Sequence, residues 1–413
     1  MDGDAREVPG ASPRRFEGNF TQQEAICERG QEAALRVLRS GRLHRYNAIQ
    51  GEDSEAALLE REFAAYLGVA YCLACASGGA AMQIALRAAG VSHGDAVLTN
   101  GFTLAPVPGA IEAVGGRSVL VEITNDLVID LDELERRQKK SAASVLLLSN
   151  MRGHIADMGK LTRLCTELGL TLIEDCAHTM GASWAGQQSG TFGLAGCFST
   201  QTYKHMNSGE GGFLVADDAD FMAKAIILSG SYKFYDKHGA APDPEIGDRH
   251  FPDMPNCSMR MDNLRAAILR PQLAALDQNC QRWNTRYAII AEALDSSGSF
   301  ALPSSPADAS RVGSSIQFRL RVATPKRNSA FIEAAAGFGI DLKWFGASSP
   351  VAYTSTHQSW RYSGDHNLPA TDAILADLLD MRIPLTFSID DCRQIGRILQ
   401  YCARQTAALG TTA

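Results

Sequence analysis

TYKHMNSGEGG, residues 202–212, lies between two strand-like runs, GCFST (196–200) and GGFLVADD (211–218), and sets one lysine ahead of a run of small, flexible residues. A lysine is usually a solvated surface charge. At the end of a buried strand it becomes something else: partly desolvated, its amine gives up its proton more readily and can act as nucleophile and base. Which reading holds for Lys204 depends on what the neighbouring strand ends carry. LTLIEDC (170–176) puts Asp175 at the carboxyl end of an apolar run, where open α/β sheets hold ligands. Buried there, a carboxylate needs a cationic or hydrogen-bonding partner.

Two further pieces lie nearby. YCLACA (71–76) runs into Ser77-Gly78-Gly79 and then directly into a helical pattern, which leaves several backbone N–H groups aimed at one spot, a setting for phosphate. Ser199 ends the run GCFS. Each feature has a plain alternative: a glycine turn, an aspartate capping the next segment, a satisfied core histidine at His178. Neither a G-K-[ST] loop nor G-x-G-x-x-G is present at the turn, so the common nucleotide loops do not apply. Taken together, the lysine, the aspartate, the cradle and the serine fit one ligand, pyridoxal 5'-phosphate, with its aldehyde, ring nitrogen and phosphate.

Outward from these motifs, strand-like and helical patterns alternate from about 55 to 220. The strand candidates are residues 71–76, 96–100, 118–123, 144–150, 170–176, 196–200 and 211–218. Most are too continuously apolar for a sheet with one wet face, which predicts an α/β fold with a mainly parallel seven-stranded sheet flanked by helices. Asp157 is placed to cap a helix over Met158, Leu161, Leu164, Cys165 and Leu168, with Gly169 ending it. A long helical stretch covers 261–294, where Pro271 should bend or interrupt it. Beyond a Ser/Pro/Gly-rich segment the pattern changes to a smaller α+β unit: IQFRLRVA, a helix near 328–338, GIDLKWF and a terminal helix near 389–408. The expected division is an arm at 1–28, read as loose, a large domain at 29–295 with the inter-domain helix, and a small domain at 296–413.

Composition narrows the partners. Apolar residues make up 45% and charged residues 21% of 413, ordinary for a globular protein. A net charge of -7 without a basic block argues against nucleic acid and anionic membrane. No apolar run is long enough to span a bilayer, and the N-terminus lacks a secretion pattern, so a cytoplasmic location is expected. The ten cysteines then read as reduced core thiols, the C-x-x-C at Cys72 and Cys75 included. No metal-ligand set is expected.

The ordered set LEREFAAYLG (59–68), SGGAAM (77–82), GFTLAPVPGAIEAVGG (101–116), GHIADM (153–158), IEDCAHTMGA (173–182) and GCFSTQTYKHMNSGEGG (196–212) resembles the DegT/DnrJ/EryC1/StrS family of sugar aminotransferases, pyridoxal phosphate enzymes of fold type I. The resemblance covers about 51–215 closely and the rest more loosely. It implies Lys204 as the internal-aldimine lysine, Asp175 as partner of the ring nitrogen and His178 near the phenolic oxygen. Ser199 with Gly78, Gly79 and Ala80 would hold the phosphate. SMRMDNLRAAILRPQL (258–273) matches the segment that reaches a neighbouring subunit's site, so a homodimer is implied, with Ser258 contacting the partner's phosphate.

Four positions depart from the family pattern: Gly79 replaces a threonine, Leu104 a stacking aromatic, Ser258 an asparagine and Met259 a tyrosine. The implied activity is transfer of an amino group from glutamate or glutamine to a keto-sugar, keto-cyclitol or related carbonyl compound. Retention of Lys204 argues against the deoxysugar-dehydrating relatives, which carry histidine there. The alternatives are a non-sugar acceptor, a non-transamination outcome, or a decayed binding protein. The aromatic-rich 339–362 is the expected region of acceptor contact.

Overall fold

The computed structural model describes residues 12–49 and 51–410, so residues 1–11 of the expected arm lie outside it. Seven strands form the main sheet: β1 (Tyr71–Cys75), β2 (Ala96–Asn100), β3 (Arg117–Val121), β4 (Val145–Ser149), β5 (Thr171–Asp175), β6 (Ala195–Ser199) and β7 (Gly212–Ala216). Their order is β1-β7-β6-β5-β4-β2-β3, with β7 antiparallel to both neighbours and the remaining pairs parallel. Every predicted run forms a strand within two residues of its expected bounds.

The continuous apolar runs follow from burial on both faces. Along β4, Leu146 and Leu148 belong to one core while Val145 and Leu147 belong to the other. Cys72 and Cys75 divide in the same way, so their side chains leave β1 on opposite faces and serve as packing.

Covering these faces are α1 (Glu28–Ser40), α2 (Glu55–Leu67), α3 (Gly78–Ala88), α4 (Pro106–Ala113), α5 (Leu131–Ser141), α6 (Met158–Leu168), α7 (Ala219–Ser229), α8 (Pro244–His250) and α9 (Asn263–Ala274). The predicted signals of α6 are present: the Asp157 carboxylate accepts from the Lys160 N–H at 2.9 Å, and Gly169 closes the helix at φ 65°. Pro271 does not interrupt the helix at its own position. It is accommodated inside α9, and the break falls at Ala275, beyond which α10 (Leu276–Ser296) begins.

The C-terminal unit contains β8 (Phe300–Ala301), β9 (Ser315–Leu320), α11 (Pro325–Gly337), β10 (Lys343–Trp344), α12 (Pro369–Leu375), β11 (Leu379–Arg382) and α13 (Ile389–Gln405). Its antiparallel sheet runs β8-β9-β11-β10 and shares a core with the end of α10 through Ile290 and Leu294. The described part of the arm is not loose. Phe16 and Phe20 pack edge-on against Phe387 at 5.1 and 4.9 Å, and the Phe16 N–H donates to the Phe338 carbonyl. Two aromatic rings in a polar N-terminal segment are enough to dock it, because each buries far more apolar surface than its neighbours. Among the described residues no helix is long and apolar enough to cross a membrane.

Candidate functional site

The parallel strands deliver their last residues to one edge. Ser149 on β4 stands in register with Asp175 on β5, and Ser199 ends β6 opposite Gly212 on β7. Here α3 starts against β6: a Cβ built on Gly78 would sit 2.9 Å from the Ser199 Cβ, and one on Gly212 would sit 2.6 Å from the Gly78 nitrogen. Only glycine permits this approach. Ser77 caps α3 through its hydroxyl, which accepts from the Ala80 N–H at 3.0 Å. The first-turn N–H groups of Gly78 and Gly79 are left over on the cavity side, which Ser199 also lines, an arrangement able to receive an anion.

A cavity of about 710 Å³ opens at this edge. Of the predicted site residues, Gly78, Gly79, Leu104, Asp175, His178, Ser199 and Lys204 line it; Ala80 and Ser258 do not. The Ala80 N–H is already spent on the helix cap. Ser258 is exposed elsewhere at φ 52°, its amide and hydroxyl both bonded to Asn256.

After β6 the chain turns and returns within a few residues. The Thr200 N–H donates to Gly211 and the Thr202 N–H to Gly209, while Gly211 takes φ 157° with Thr200 Oγ1 only 2.3 Å from where its Cβ would be. The small residues after Lys204 make this return possible. The return carries Lys204 Nζ into the cavity, 2.9 Å from His178 Nε2. Loss of hydration pushes the amine down to about 7, helped by the charges of Arg152 and Arg382 and opposed by Asp175. The side chain is half-buried and lines the cavity. Desolvation, then the Lys204 charge, drives His178 well below its ordinary value, so its ring is neutral. Facing a protonated Lys204, Nε2 is the acceptor.

Asp175 is 6% exposed. Burial raises its pKa, opposed by the Ser149 hydroxyl, the Ala177 N–H and the Lys204 charge. The Ser149 hydroxyl donates to Oδ2 at 2.9 Å and the Ala177 N–H to Oδ1 at 3.1 Å. Ser149 is itself oriented by the Thr103 hydroxyl at 2.8 Å. A carboxylate offers about four acceptor positions, so a cationic N–H donor from the cavity side can still be taken.

Several residues of the site carried weaker sequence signals. Ser149 ends β4, whose apolar run VLLLS signals burial and nothing of a site. Arg152 follows β4 with φ 57° and joins Asp380 of β11 by an ion pair at 3.1 Å, stacking on Tyr353 at 4.3 Å. Tyr353, Arg382 and Lys343 line the cavity from the C-terminal unit. Of the expected 339–362 contact region, Asp341, Lys343, Ala352 and Tyr353 reach the cavity, whereas Phe345 and Trp360 are core residues. Next to Lys204, His205 turns the other way, packing on Trp283 at 5.0 Å with Nε2 3.0 Å from the Ser314 hydroxyl.

Known proteins share this architecture. An L-glutamine:scyllo-inosose aminotransferase of Streptomyces griseus is 32% identical over 317 residues, 74% of this chain and 73% of that one. An L-glutamine:2-deoxy-scyllo-inosose aminotransferase of Streptomyces kanamyceticus is 31% identical over 265 residues, 64% of this chain; the match spans 61% of that enzyme's length. The crystal structure of 3-amino-5-hydroxybenzoic acid synthase superposes with a TM-score of 0.80 at 23% identity, covering 95% of this chain and all of that one, which establishes a shared fold. The profile of the DegT/DnrJ/EryC1/StrS aminotransferase family matches residues 25–400, and the chain belongs to that family.

Proposed function

We propose that this protein is a pyridoxal 5'-phosphate-dependent aminotransferase that moves an amino group from L-glutamine or L-glutamate to a ring ketone of the keto-sugar or keto-cyclitol class. The observation that carries the reading is the placement of Lys204 Nζ, 2.9 Å from a neutral His178, in the cavity also lined by Asp175 and the start of α3. When bound, the cofactor supplies an aldehyde that exchanges amino groups and a ring that withdraws electrons from the carbon losing its proton.

The residues fit such a group. The Gly78 and Gly79 N–H groups and the Ser199 hydroxyl would hold the phosphate, and the open acceptor positions of Asp175 the ring nitrogen. Leu104 lines the cavity where it would cover a ring face by apolar contact. Lys204, with an amine near neutrality, would hold the aldehyde carbon and, once displaced by substrate, take a proton at Nζ and return it. His178 positions that amine.

The named donors of the two inosose relatives support glutamine, and their ring-ketone substrates support the acceptor class. The reading includes the domain division given above. It also includes a homodimer in which Ser258 serves the partner's site, supported by the exposure of Leu35, Leu38, Leu43 and Ile49. A protein sedimenting as a dimer is expected to turn yellow with pyridoxal 5'-phosphate and to bleach on addition of L-glutamine. A dimer that stays colourless, or a yellow protein that no amino acid bleaches, overturns the reading.

The cradle allows a finer test. A Cβ on Gly79 meets only the Ser77 hydroxyl, at 3.7 Å, so threonine fits there, whereas a side chain on Gly78 drives into Ser199. Gly79→Thr adds a hydroxyl donor to a charged acceptor and should tighten cofactor binding about tenfold, the order expected of a charge-assisted hydrogen bond. Gly78→Val should weaken it by at least about tenfold, since the helix start must move off its anion. Fluorescence titration with the cofactor measures both; equal effects at 78 and 79 would remove the cradle from this edge.

A further inference from the structure

We infer that Arg382 is an anion-binding subsite that takes a carboxylate of one of the substrates. The inference rests on the proposed aminotransferase reading for which substrate is meant, but not for the binding itself.

Asp380 and Arg382 stand two residues apart on β11 and therefore share a face of the strand. Asp380 is fully buried and its acceptors are committed. Arg152 Nη2 donates to Oδ2 at 3.2 Å with Nε 3.1 Å from Oδ1, the Gln317 amide donates to Oδ1 at 2.7 Å, and the Tyr353 hydroxyl donates to Oδ2 at 2.5 Å. The carboxylate nearest to Arg382 in the chain thus neutralises Arg152 instead. The other cation of the C-terminal unit in the cavity, Lys343, is held by Asp341 at 2.6 Å.

Arg382 differs from both. Its guanidinium carbon lies 3.8 Å from the Tyr203 ring centroid and 4.8 Å from that of Tyr353, and among the described residues its side chain makes no hydrogen bond or ion pair. Stacking on aromatic faces fixes the plane of a guanidinium and leaves its in-plane N–H donors uncommitted. Their fork matches a carboxylate bidentately, which a lysine cannot reproduce. The two tyrosines and Arg382 line the same cavity as Lys204, so the bound carboxylate belongs to a molecule reaching the reactive amine. The carboxylate has two sources: every amino-acid donor carries one, and an acceptor ring can carry one.

Glutarate, a carboxylate with no amine to transfer, is the probe. Calorimetric titration into the wild-type protein is expected to show binding that Arg382→Leu weakens by about 10- to 100-fold and Arg382→Lys by less, as the loss of a charge-assisted pair predicts. The source is then read from the two half-reactions of the cofactor-loaded protein. If Arg382→Leu raises half-saturation for bleaching by L-glutamine, but not by the carboxylate-free 4-aminobutanamide, the donor's carboxylate is bound. If bleaching is unchanged and only a carboxylated ketone loses affinity in the return reaction, the acceptor's is bound. Both outcomes support the inference. Glutarate binding equally to wild type and a folded Arg382→Leu protein, or to neither, overturns it, as does an equal loss with both amines. A wild-type protein without colour rejects the aminotransferase reading, while the glutarate titration still decides the role of Arg382.

Discussion

Replacing Lys204 with alanine is expected to remove the absorbance band that an imine to Lys204 gives the cofactor-loaded protein, and to lower turnover by at least about 10³-fold, within the range set by loss of a proton-transferring base. Borohydride should fix the cofactor's mass on the intact wild-type chain and leave the variant's mass unchanged; fixation on Lys204→Ala would place the reactive amine elsewhere. A second consequence concerns stability. Desolvation holds the Lys204 amine at about 7 in the folded, cofactor-free protein, whereas an unfolded lysine titrates near ~10.4. Between those values the unfolded chain binds the extra proton, so the contribution of this group to stability is complete above ~10.4 and is lost as pH falls toward 7. Alanine removes that penalty. Cofactor-free Lys204→Ala should therefore melt above wild type at pH 6, by on the order of 1–3 kcal/mol after allowing for cavity water, with the gap closing by pH 10.5. A gap independent of pH would mean that the amine is hydrated in the folded protein.

The sheet was legible because its strands are buried on both faces. A run such as VLLLS at 145–149 admits few other readings once a helix with clear caps follows it. The placement of Asp175 and Lys204 at the cavity was legible for a related reason, since a charge beside the end of an apolar run is costly to bury without a partner. The C-terminal half of the site was not. Arg152 and Asp380 cancel each other across 228 residues of chain, and no local pattern announces a pairing at that separation. Arg382 carried a faint signal as a lone guanidinium in the apolar LLDMRIPL, but only its stacking on Tyr203, from the lysine turn itself, ties it to the cavity. Ala275 shows the limit of residue-type rules: Pro271 lies within α9, and the chain breaks where backbone geometry changes. Glu60 belongs with the missed residues, because within LEREFAAYLG it looks like an ordinary surface charge of an amphipathic helix.

Glu60 is instead fully buried, and its replacement by alanine is expected to have the largest effect on stability of any single change considered. Its carboxylate takes the Arg45 guanidinium in a fork at 2.6 and 2.8 Å and the Ala74 N–H at 2.7 Å, and lies 3.2 Å from His238 Nε2. Burial alone would raise the carboxyl; the Arg45 charge and then His238 outweigh it and hold the group at about 2. Burial and Arg45 keep His238 itself below its ordinary value, so it is neutral, with Nε2 accepting from the Arg45 guanidinium at 3.1 Å and Nδ1–H donating to the Tyr46 hydroxyl at 3.1 Å. Removing Glu60 strands the Arg45 charge in the core, at a cost of about 3–5 kcal/mol. For a chain of this length unfolding as one unit, that corresponds to roughly 4–6 °C in Tm. The double variant Arg45→Met/Glu60→Leu should recover most of the loss, because the desolvation of both charges disappears with them. The wild-type advantage of Glu60 is present above the unfolded pKa near ~4.3 and is lost as pH falls through about 2, so wild type and Glu60→Ala should converge in acid. The effect should also reach the cofactor cradle. Ala74 lies on β1, which runs directly into Ser77 and Gly78, so Glu60 fixes the strand that aims the α3 N–H groups. Weaker cofactor binding in Glu60→Ala, restored in the double variant along with Tm, is the expected pattern in paired calorimetric and fluorescence titrations. Restoration of Tm without restoration of affinity would separate the ion pair from the cradle.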